Sequence, residues 1–344
     1  MTVPLDPFVA EVTAGPEWEG LNWSAQRHSG NVRIGYLSGD TAGPDDEDSL
    51  DWSVVGERFD VVYGPLACEP VSRAVVGVDD PATSAHELAE HVSRNPQAST
   101  VLAAVLRAGS RATVREALDI ESWAYSTLLG GEEFAAWLTA RGPRPLPPTP
   151  PASPVLVERH GDRVVVTLNR PERRNAFGAA VRDALVAALE VCVLDDSITA
   201  VELRGAGPVF CAGGDLDEFG TTPDPVTAHF VRTAGGAGAR LAEIAGRTTA
   251  FLHGTCVGAG IELPALAGRV VVDPATTFRL PEVGMGLIPG AGGTVGIPRR
   301  IGRWRAFHLA VTGVGIGAPT ALRWGLADDV ADVAVADVAG LAGQ

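Results

Sequence analysis

Residues 254–266 read G-T-C-V-G-A-G-I-E-L-P-A-L, and residues 278–294 read F-R-L-P-E-V-G-M-G-L-I-P-G-A-G-G-T. Each stretch is apolar and rich in glycine, and each contains one glutamate, Glu262 or Glu282. Burying a carboxylate among apolar groups is costly, so two of them in this setting require an explanation. Paired carboxylates beside an apolar cleft can divide the work of a general acid and a general base. We therefore predict a catalytic pair; the alternative is that each glutamate only caps a helix or lies on an exposed turn.

Strands and helices alternate on both sides of these stretches. Residues 155–168 predict two strands joined by a turn at Gly161-Asp162. Periodicity further predicts helices at 179–193 and 226–244, and strands at 200–203, 249–253, 269–272 and 277–280. Such alternation is typical of an α/β fold with largely parallel strands.

A proline-rich segment divides the chain. Residues 141–154 read R-G-P-R-P-L-P-P-T-P-P-A-S-P, which favours an extended linker over a helix or a strand. We therefore distinguish an N-terminal extension of unknown role (1–83), a helical region (84–140), the linker (141–154) and an α/β core (155–344). The extension has little pattern, with strands predicted only at 32–37, 60–62 and 74–78.

The composition argues against several classes of function. The net charge of −15 disfavours nucleic acid and anionic membranes as partners. The chain contains no lysine, which excludes Schiff-base chemistry and a P-loop. Its four cysteines form no C-x-x-C pair, so we expect no metal site and a reducing compartment. The sequence shows neither a signal pattern nor an apolar run of membrane-spanning length, and we expect a cytoplasmic protein.

A further glycine turn, F-C-A-G-G-D-L, occupies residues 210–216. Glycines at a turn that opens a helix allow backbone N–H groups to point at an anion or a polarised oxygen. Gly258-Ala259-Gly260 offers a second set of donors, and two donors aimed at one point form an oxyanion hole. The alternative for the first turn is a tight connection in which Asp215 caps a helix.

Four motifs in order, L-N-R-P-E-R-R-N-A-F (168–177), F-C-A-G-G-D-L, G-A-G-I-E-L and L-P-E-V-G-M-G-L-I-P-G-A-G-G-T, resemble the enoyl-CoA hydratase/isomerase (crotonase) superfamily. The resemblance runs from about residue 155 to 330. It implies a crotonase-like (ClpP/crotonase) α/β spiral of ββα units with a cover of helices. It also implies that the N–H groups of Gly214 and Ala259 bind the thioester oxygen, and that Glu262 and Glu282 are the two catalytic carboxylates.

The same resemblance implies how coenzyme A is held. The residues that match the family's CoA-binding positions are Arg170, Arg173, Arg174, Ala212, Gly213 and Asp215. The arginines supply local positive charge for a phosphate-bearing group, although the loop could also be a solvated turn. We expect no separate cofactor, because coenzyme A enters as part of the substrate, and we expect a homotrimer or a hexamer (a dimer of trimers).

The chain departs from the family in the position of its helices. Relatives continue after the region of residue 330 with several helices that cover the acyl pocket, whereas this sequence ends at Gln344. Residues 84–141 resemble those helices, including the L-x-x-E pattern at Leu118–Glu121. We therefore expect the cover on the N-terminal side, through circular permutation or a fused duplication, with Tyr125, Leu128 and Leu129 as candidate wall residues.

The expected function is reversible, syn addition of water to a 2-enoyl-CoA by a lyase, which uses both glutamates. A double-bond isomerase needs only one base and is the nearest alternative. A hydrolase or a decarboxylase would share the oxyanion hole. A non-catalytic scaffold of the same fold would need neither glutamate.

Overall fold

The computed structural model describes residues 5–12, 31–37, 51–150 and 152–333. The strands are β1 (Phe8–Val12), β2 (Arg33–Leu37), β3 (Val61–Gly64), β4 (Val75–Gly77), β5 (Val155–His160), β6 (Arg163–Leu168), β7 (Ala200–Gly205), β8 (Thr248–Leu252), β9 (Thr255–Val257), β10 (Arg269–Val272), β11 (Thr277–Arg279), β12 (Ile316–Gly317) and β13 (Asp329–Val330). The α-helices are α1 (Trp52–Arg58), α2 (Pro81–Arg94), α3 (Pro96–Gly109), α4 (Val114–Leu129), α5 (Glu132–Arg141), α6 (Ala179–Leu194), α7 (Pro225–Thr233), α8 (Ala237–Glu243), α9 (Ala259–Glu262), α10 (Gly293–Ile301), α11 (Arg303–Thr312) and α12 (Ala318–Trp324).

The largest sheet has the strand order β13-β10-β8-β7-β6-β5. β5 and β6 form the predicted antiparallel hairpin, with Gly161 at a φ of 67°, and the other pairings in this sheet are parallel. Because β6, β7 and β8 run in one direction, the segments that follow them leave from the same edge of the sheet. These segments are residues 170–177, residues 206–215 and the β9–α9 turn, which the sequence predicts to carry the site. A small sheet of order β12-β11-β9 supports the last of them.

The N-terminal extension contains a parallel sheet of order β1-β2-β3-β4. The predictions at 32–37, 60–62 and 74–78 correspond to β2, β3 and β4, whereas β1 and α1 were not predicted. One face of this sheet, with Ile34 and Tyr63, belongs to the main hydrophobic core of the chain. The other face packs on α1 through a separate cluster that includes Val55 and Phe59. The extension is therefore packed against the rest of the chain and contributes to its core.

Helices α4 and α5 precede the linker in the sequence, but in the structure they pack against the α/β core that follows it. A capping box begins α4, since Thr113 Oγ1 accepts from the Glu116 N–H and the Glu116 carboxylate accepts from the Thr113 N–H. The Ser126 hydroxyl donates to the Pro225 carbonyl at the start of α7 over 2.8 Å. At the other end of this pair of helices, Arg141 forms an ion pair with Asp217 at 3.0 Å.

Two local predictions are wrong. The single helix expected at 226–244 is two helices, α7 and α8, separated at Gly235-Gly236. The chain turns so tightly there that a Cβ on Gly236 would lie 2.0 Å from the Arg232 carbonyl oxygen. The helix expected after the 210–216 turn is only the 3₁₀ turn Leu216–Glu218, which Asp215 caps by accepting from the Asp217 N–H at 3.2 Å. That capping role is the alternative considered for Asp215. Among the described residues, no helix combines the length and the apolar character that crossing a bilayer requires.

Candidate active site

The Gly214 N–H points into a cleft because the residues on either side of it, Gly213 and Asp215, make the backbone hydrogen bonds to the neighbouring segment. Phe177 N–H donates to the Gly213 carbonyl at 2.7 Å, and Asp215 N–H donates to the Phe177 carbonyl at 3.2 Å. In extended chain, the N–H between two such bonds faces the opposite side. The Gly214 N–H accordingly donates to no acceptor among the described residues.

The Ala259 N–H donates to no acceptor among the described residues, because it lies at the start of a helix. Ala259 is the first residue of α9, where N–H groups have no partner within the helix. Gly258 precedes it at a φ of 49°, which favours glycine. A Cβ on Gly260 would lie 2.1 Å from the Cys211 carbonyl oxygen, so α9 begins in direct contact with the 210–215 turn. This contact brings the Ala259 and Gly214 amides to one cavity.

Glu262 is 3% exposed and its carboxylate is held by a loop. Its Oε2 accepts from the Ala291 N–H at 2.7 Å and from the Gly293 N–H at 3.1 Å. Burial raises the pKa of Glu262 well above its ordinary value, and the negative charges of Glu282 and Glu121 add to that rise. The two amides oppose it, because they hydrogen-bond to the ionised form.

Glu282 lies on a 3₁₀ turn, Glu282–Met285, and is also buried. Its Oε2 has no hydrogen-bond partner among the described residues. Burial raises the pKa of Glu282 to about 8. A Cβ on Gly258 would lie 2.5 Å from Glu282 Oε1 and 3.7 Å from Glu262 Oε1, so both carboxyl groups reach the same point. Two carboxyl groups this close cannot both be ionised cheaply, so we expect the pair to hold one proton between them.

A third buried carboxyl group, Glu121 of α4, was not predicted as a site residue. Its Oε1 accepts from the Gly292 N–H at 2.7 Å, while Oε2 accepts from the Thr294 N–H at 2.8 Å and the Thr294 hydroxyl at 2.7 Å. Burial raises its pKa to about 7. Residues 291–294 therefore donate alternately to Glu262 and Glu121. The L-x-x-E pattern marks Glu121, but a pattern within one helix does not show that it reaches this loop.

The four predicted catalytic and oxyanion residues line one cavity, with a volume of about 380 Å³. Gly214 and Ala259 bring the amide donors, and Glu262 and Glu282 bring the carboxyl groups. Part of the cavity wall comes from the helices before the linker, through Tyr125, Leu129 and Phe134. Of the candidate wall residues, Tyr125 and Leu129 line the cavity, whereas Leu128 is buried in the core.

The predicted CoA-binding residues form two connected loops beside this cavity. Ala212 N–H donates to the Arg174 carbonyl at 2.9 Å, and Gly213 is bonded to Phe177. Arg173 pairs with Asp215 at 2.6 Å and with Asp217 at 2.9 Å, so much of its charge is neutralised.

The other two arginines of this loop differ in exposure. Arg170 is 5% exposed and bonds to Glu172 at 3.1 Å. Arg174 is exposed, and its guanidinium has no ion-pair partner within the part of the chain that the structure describes. Of the three, Arg174 is thus the one with charge available to a ligand.

A model of the enoyl-CoA hydratase/isomerase family matches residues 159–340, more than half of the chain. The chain belongs to this family. It is 35% identical over 178 residues to 2,3-dehydroadipyl-CoA hydratase of Escherichia coli strain K12, covering 52% of this chain and 69% of that protein. It is 37% identical over 174 residues to 1,2-epoxyphenylacetyl-CoA isomerase of the same strain, covering 49% and 66%.

The fold agrees with this membership. The solved structure of Pseudomonas aeruginosa DspI matches with a TM-score of 0.50 and 30% identity, covering 56% of this chain and 74% of that one. As a member of the family, the chain has a crotonase-like fold and is a crotonase-type acyl-CoA enzyme. Relatives of both the hydratase and the isomerase kind are similar to it.

Proposed function

We propose that this family member catalyses the reversible addition of water to a 2-enoyl-CoA. The observation that supports this reaction best is the unequal environment of the two glutamates. Glu262 has two amide donors on one oxygen, whereas Glu282 has a buried oxygen without a partner. One site then offers a carboxylate and a carboxylic acid together, which is what adding a hydroxyl group and a proton requires.

The first step of the proposed reaction is polarisation of the thioester. The carbonyl oxygen accepts hydrogen bonds from the free N–H groups of Gly214 and Ala259, which stabilise the negative charge that develops on it. Withdrawal of electrons through the conjugated double bond makes the β-carbon electrophilic. Both amides belong to backbone segments held by hydrogen bonds to Phe177 and by close packing on Cys211, so little reorganisation is needed as charge develops.

The glutamates then handle water and protons. The Glu262 carboxylate accepts a proton from a water molecule while the water oxygen forms a bond to the β-carbon. The protonated Glu282 donates its proton to the α-carbon, and the enolate returns to a thioester. A proton passed from Glu262 to Glu282 restores the starting state, and the product contains one added water.

Glu121 has a positioning role in this proposal. Its carboxylate accepts from the N–H groups of Gly292 and Thr294. The N–H groups of Ala291 and Gly293, in the same loop, donate to Glu262. The negative charge of Glu121 also contributes to the raised pKa values of both catalytic glutamates. We therefore propose that Glu121 keeps the loop and its two bonds to Glu262 in place.

We further propose that residues 84–140 take the place of the C-terminal helices of the relatives, by permutation or by fused duplication. The support is that α4 and α5 provide part of the cavity wall through Tyr125, Leu129 and Phe134. If these helices determine which acyl group is accepted, Leu129→Ala should shift the substrate preference towards longer or bulkier acyl chains. Rates with a series of enoyl-CoA chain lengths test this, and an unchanged preference contradicts it.

The binding of coenzyme A and the assembly state also remain proposals. We propose that Arg174 contacts the phosphates of coenzyme A, while Ala212, Gly213 and Asp215 shape its path. We propose a cytoplasmic homotrimer or hexamer, in which subunits cover the exposed aliphatic side chains of Val157, Val191 and Leu194 on β5 and α6. Sedimentation velocity distinguishes these assemblies from a monomer.

The reaction is tested with crotonyl-CoA and with longer and aromatic 2-enoyl-CoA thioesters. Hydration removes the conjugated double bond, so the ultraviolet absorbance of the enoyl thioester decreases. Loss of this signal with formation of a 3-hydroxyacyl-CoA supports the proposal. A product with a shifted double bond indicates an isomerase, and binding without turnover indicates a scaffold.

A further inference from the structure

A second cavity, of about 830 Å³, lies between the N-terminal sheet region and helices α3, α10 and α11. It is an arginine groove, which we define by its five lining arginines: Arg73, Arg107, Arg111, Arg299 and Arg303. The indole rings of Trp52 and Trp304 line the same groove, and Glu57 is the acidic residue among its described lining residues. It shares no lining residue with the catalytic cavity.

Within the part of the chain that the structure describes, the lining of the arginine groove holds five arginines and one acidic residue. Asp60, which is 1% exposed, is the carboxylate beneath it, and two of the lining arginines pair with it: Arg107 at 2.6 Å and Arg303 at 3.4 Å. Arg33 lies 3.9 Å from the same residue, so three guanidinium groups surround this carboxylate. This occurs in a chain whose net charge is −15.

Two arginines of the groove have no acidic partner among the described residues. Arg73 and Arg111 are exposed, and neither forms an ion pair within the described ranges. Like charges gathered in one concavity repel one another, and the repulsion is strongest where solvent is partly excluded. An anion bound in the groove would offset this cost.

The walls of the groove are already held in place. Arg299 donates to the Ala112 carbonyl at 2.9 Å, which joins α10 to the turn after α3. Arg303 donates to the Phe59 carbonyl at 3.2 Å and lies 4.7 Å from the centre of the Trp304 ring. The Trp304 indole N–H donates to the Gly56 carbonyl at 3.1 Å. Because the walls are fixed in this way, a ligand would bind without first ordering them.

We propose that the arginine groove binds a phosphorylated small molecule of nucleotide size. Guanidinium groups form paired hydrogen bonds with phosphate oxygens, and aromatic rings offer faces to a planar base. The volume lies within the usual range for small-molecule sites, roughly 300–1,000 Å³. The site is separate from the proposed reaction, and its occupation does not depend on the catalytic glutamates.

The test is calorimetric titration of the full chain with ADP and with inorganic pyrophosphate. Each titration is also run on the Arg174→Gln variant, which removes the free arginine of the proposed CoA loop, so that ADP bound at that loop is distinguished from ADP bound in the groove. ADP is expected to bind at one site per chain, more weakly at high salt, while adenosine gives no signal. The double variant Arg73→Gln/Arg111→Gln is expected to weaken ADP binding at least about tenfold, since it removes both unpaired charges.

A matched control removes two arginines elsewhere. Arg159→Gln/Arg163→Gln makes the same charge change at exposed positions of β5 and β6 and should bind ADP as the unmodified chain does. No ADP binding by the unmodified chain overturns the proposal, as does equal weakening in both double variants. Residues Asp45, Asp46, Glu47 and Asp48 lie outside the described residues. If ADP binds only after these four are replaced by their amides, the occupant is the chain's own acidic segment and the proposal fails.

Discussion

Replacing Glu282 with glutamine tests whether this residue carries a proton at neutral pH. The substitution keeps the size of the side chain but removes the acidic proton. Loss of a general acid typically slows a reaction by about 10²–10⁴-fold. We expect Glu282→Gln to lower kcat for enoyl-CoA hydration within this range, with a much smaller change in KM, because in the proposed mechanism Gly214 and Ala259 hold the thioester.

The same variant should change the pH dependence of stability. Burial raises the folded-state pKa of Glu282 to about 8 from an ordinary value of 4.5. A carboxyl group with a raised pKa stabilises the folded state at low pH, and this contribution is lost as pH rises towards the folded pKa. Relative to the unmodified protein, Glu282→Gln should gain about 1.4 kcal/mol per pH unit between about pH 5 and 8.

Chemical denaturation at several pH values, together with the hydration assay, measures both effects. Glu243→Gln on α8 is the matched control, because Glu243 is exposed and lies outside the cavity. A stability difference that does not vary with pH would refute the assignment of the proton to Glu282. A loss of kcat smaller than about tenfold would refute its role as the acid.

Three other substitutions test the remaining parts of the site. Glu121→Gln should lower the free energy of unfolding by about 1.5–3 kcal/mol, because it removes one hydrogen bond to a charged acceptor. It should also move the alkaline limb of the pH profile of kcat to lower pH. A limb that does not move would argue for a purely structural role of Glu121. The shift follows because removing a nearby negative charge lowers the pKa of Glu282. Ala259→Pro removes one N–H at the first position of a helix, where proline is tolerated, and should lower kcat by about 10²–10³-fold while the circular dichroism spectrum is kept. Arg174→Gln should raise KM for acyl-CoA and leave kcat unchanged, whereas Arg163→Gln should alter neither; equal KM values in the two variants would exclude Arg174 from CoA binding.

The sequence allowed the central parts of the fold to be predicted because their signals are local. The β5–β6 hairpin follows from alternating residues around Gly161-Asp162, and β10 follows from a short apolar run. The grouping of Gly214, Ala259, Glu262 and Glu282 came from the order of the motifs, and the structure places all four around one cavity.

Other features depend on contacts between distant residues and could not be predicted. Glu121 bonds to Gly292 across 171 positions of sequence, so no pattern within α4 shows the contact. The break between α7 and α8 arises where Gly236 packs against the Arg232 carbonyl, although the apolar spacing continues through it. The arginine groove is lined by residues of the N-terminal extension, α3 and α11. In the sequence, each of these arginines is indistinguishable from an arginine on the protein surface.

The most direct test of the central claim is isotopic labelling of the product. The protein is incubated with a 2-enoyl-CoA in deuterated, ¹⁸O-enriched water, and the product is analysed by mass spectrometry. The proposed mechanism predicts a 3-hydroxyacyl-CoA with one ¹⁸O on the β-carbon and one deuterium on the α-carbon, formed at strongly reduced rates by Glu262→Gln and Glu282→Gln. A product without ¹⁸O, or full activity in either glutamine variant, would contradict it.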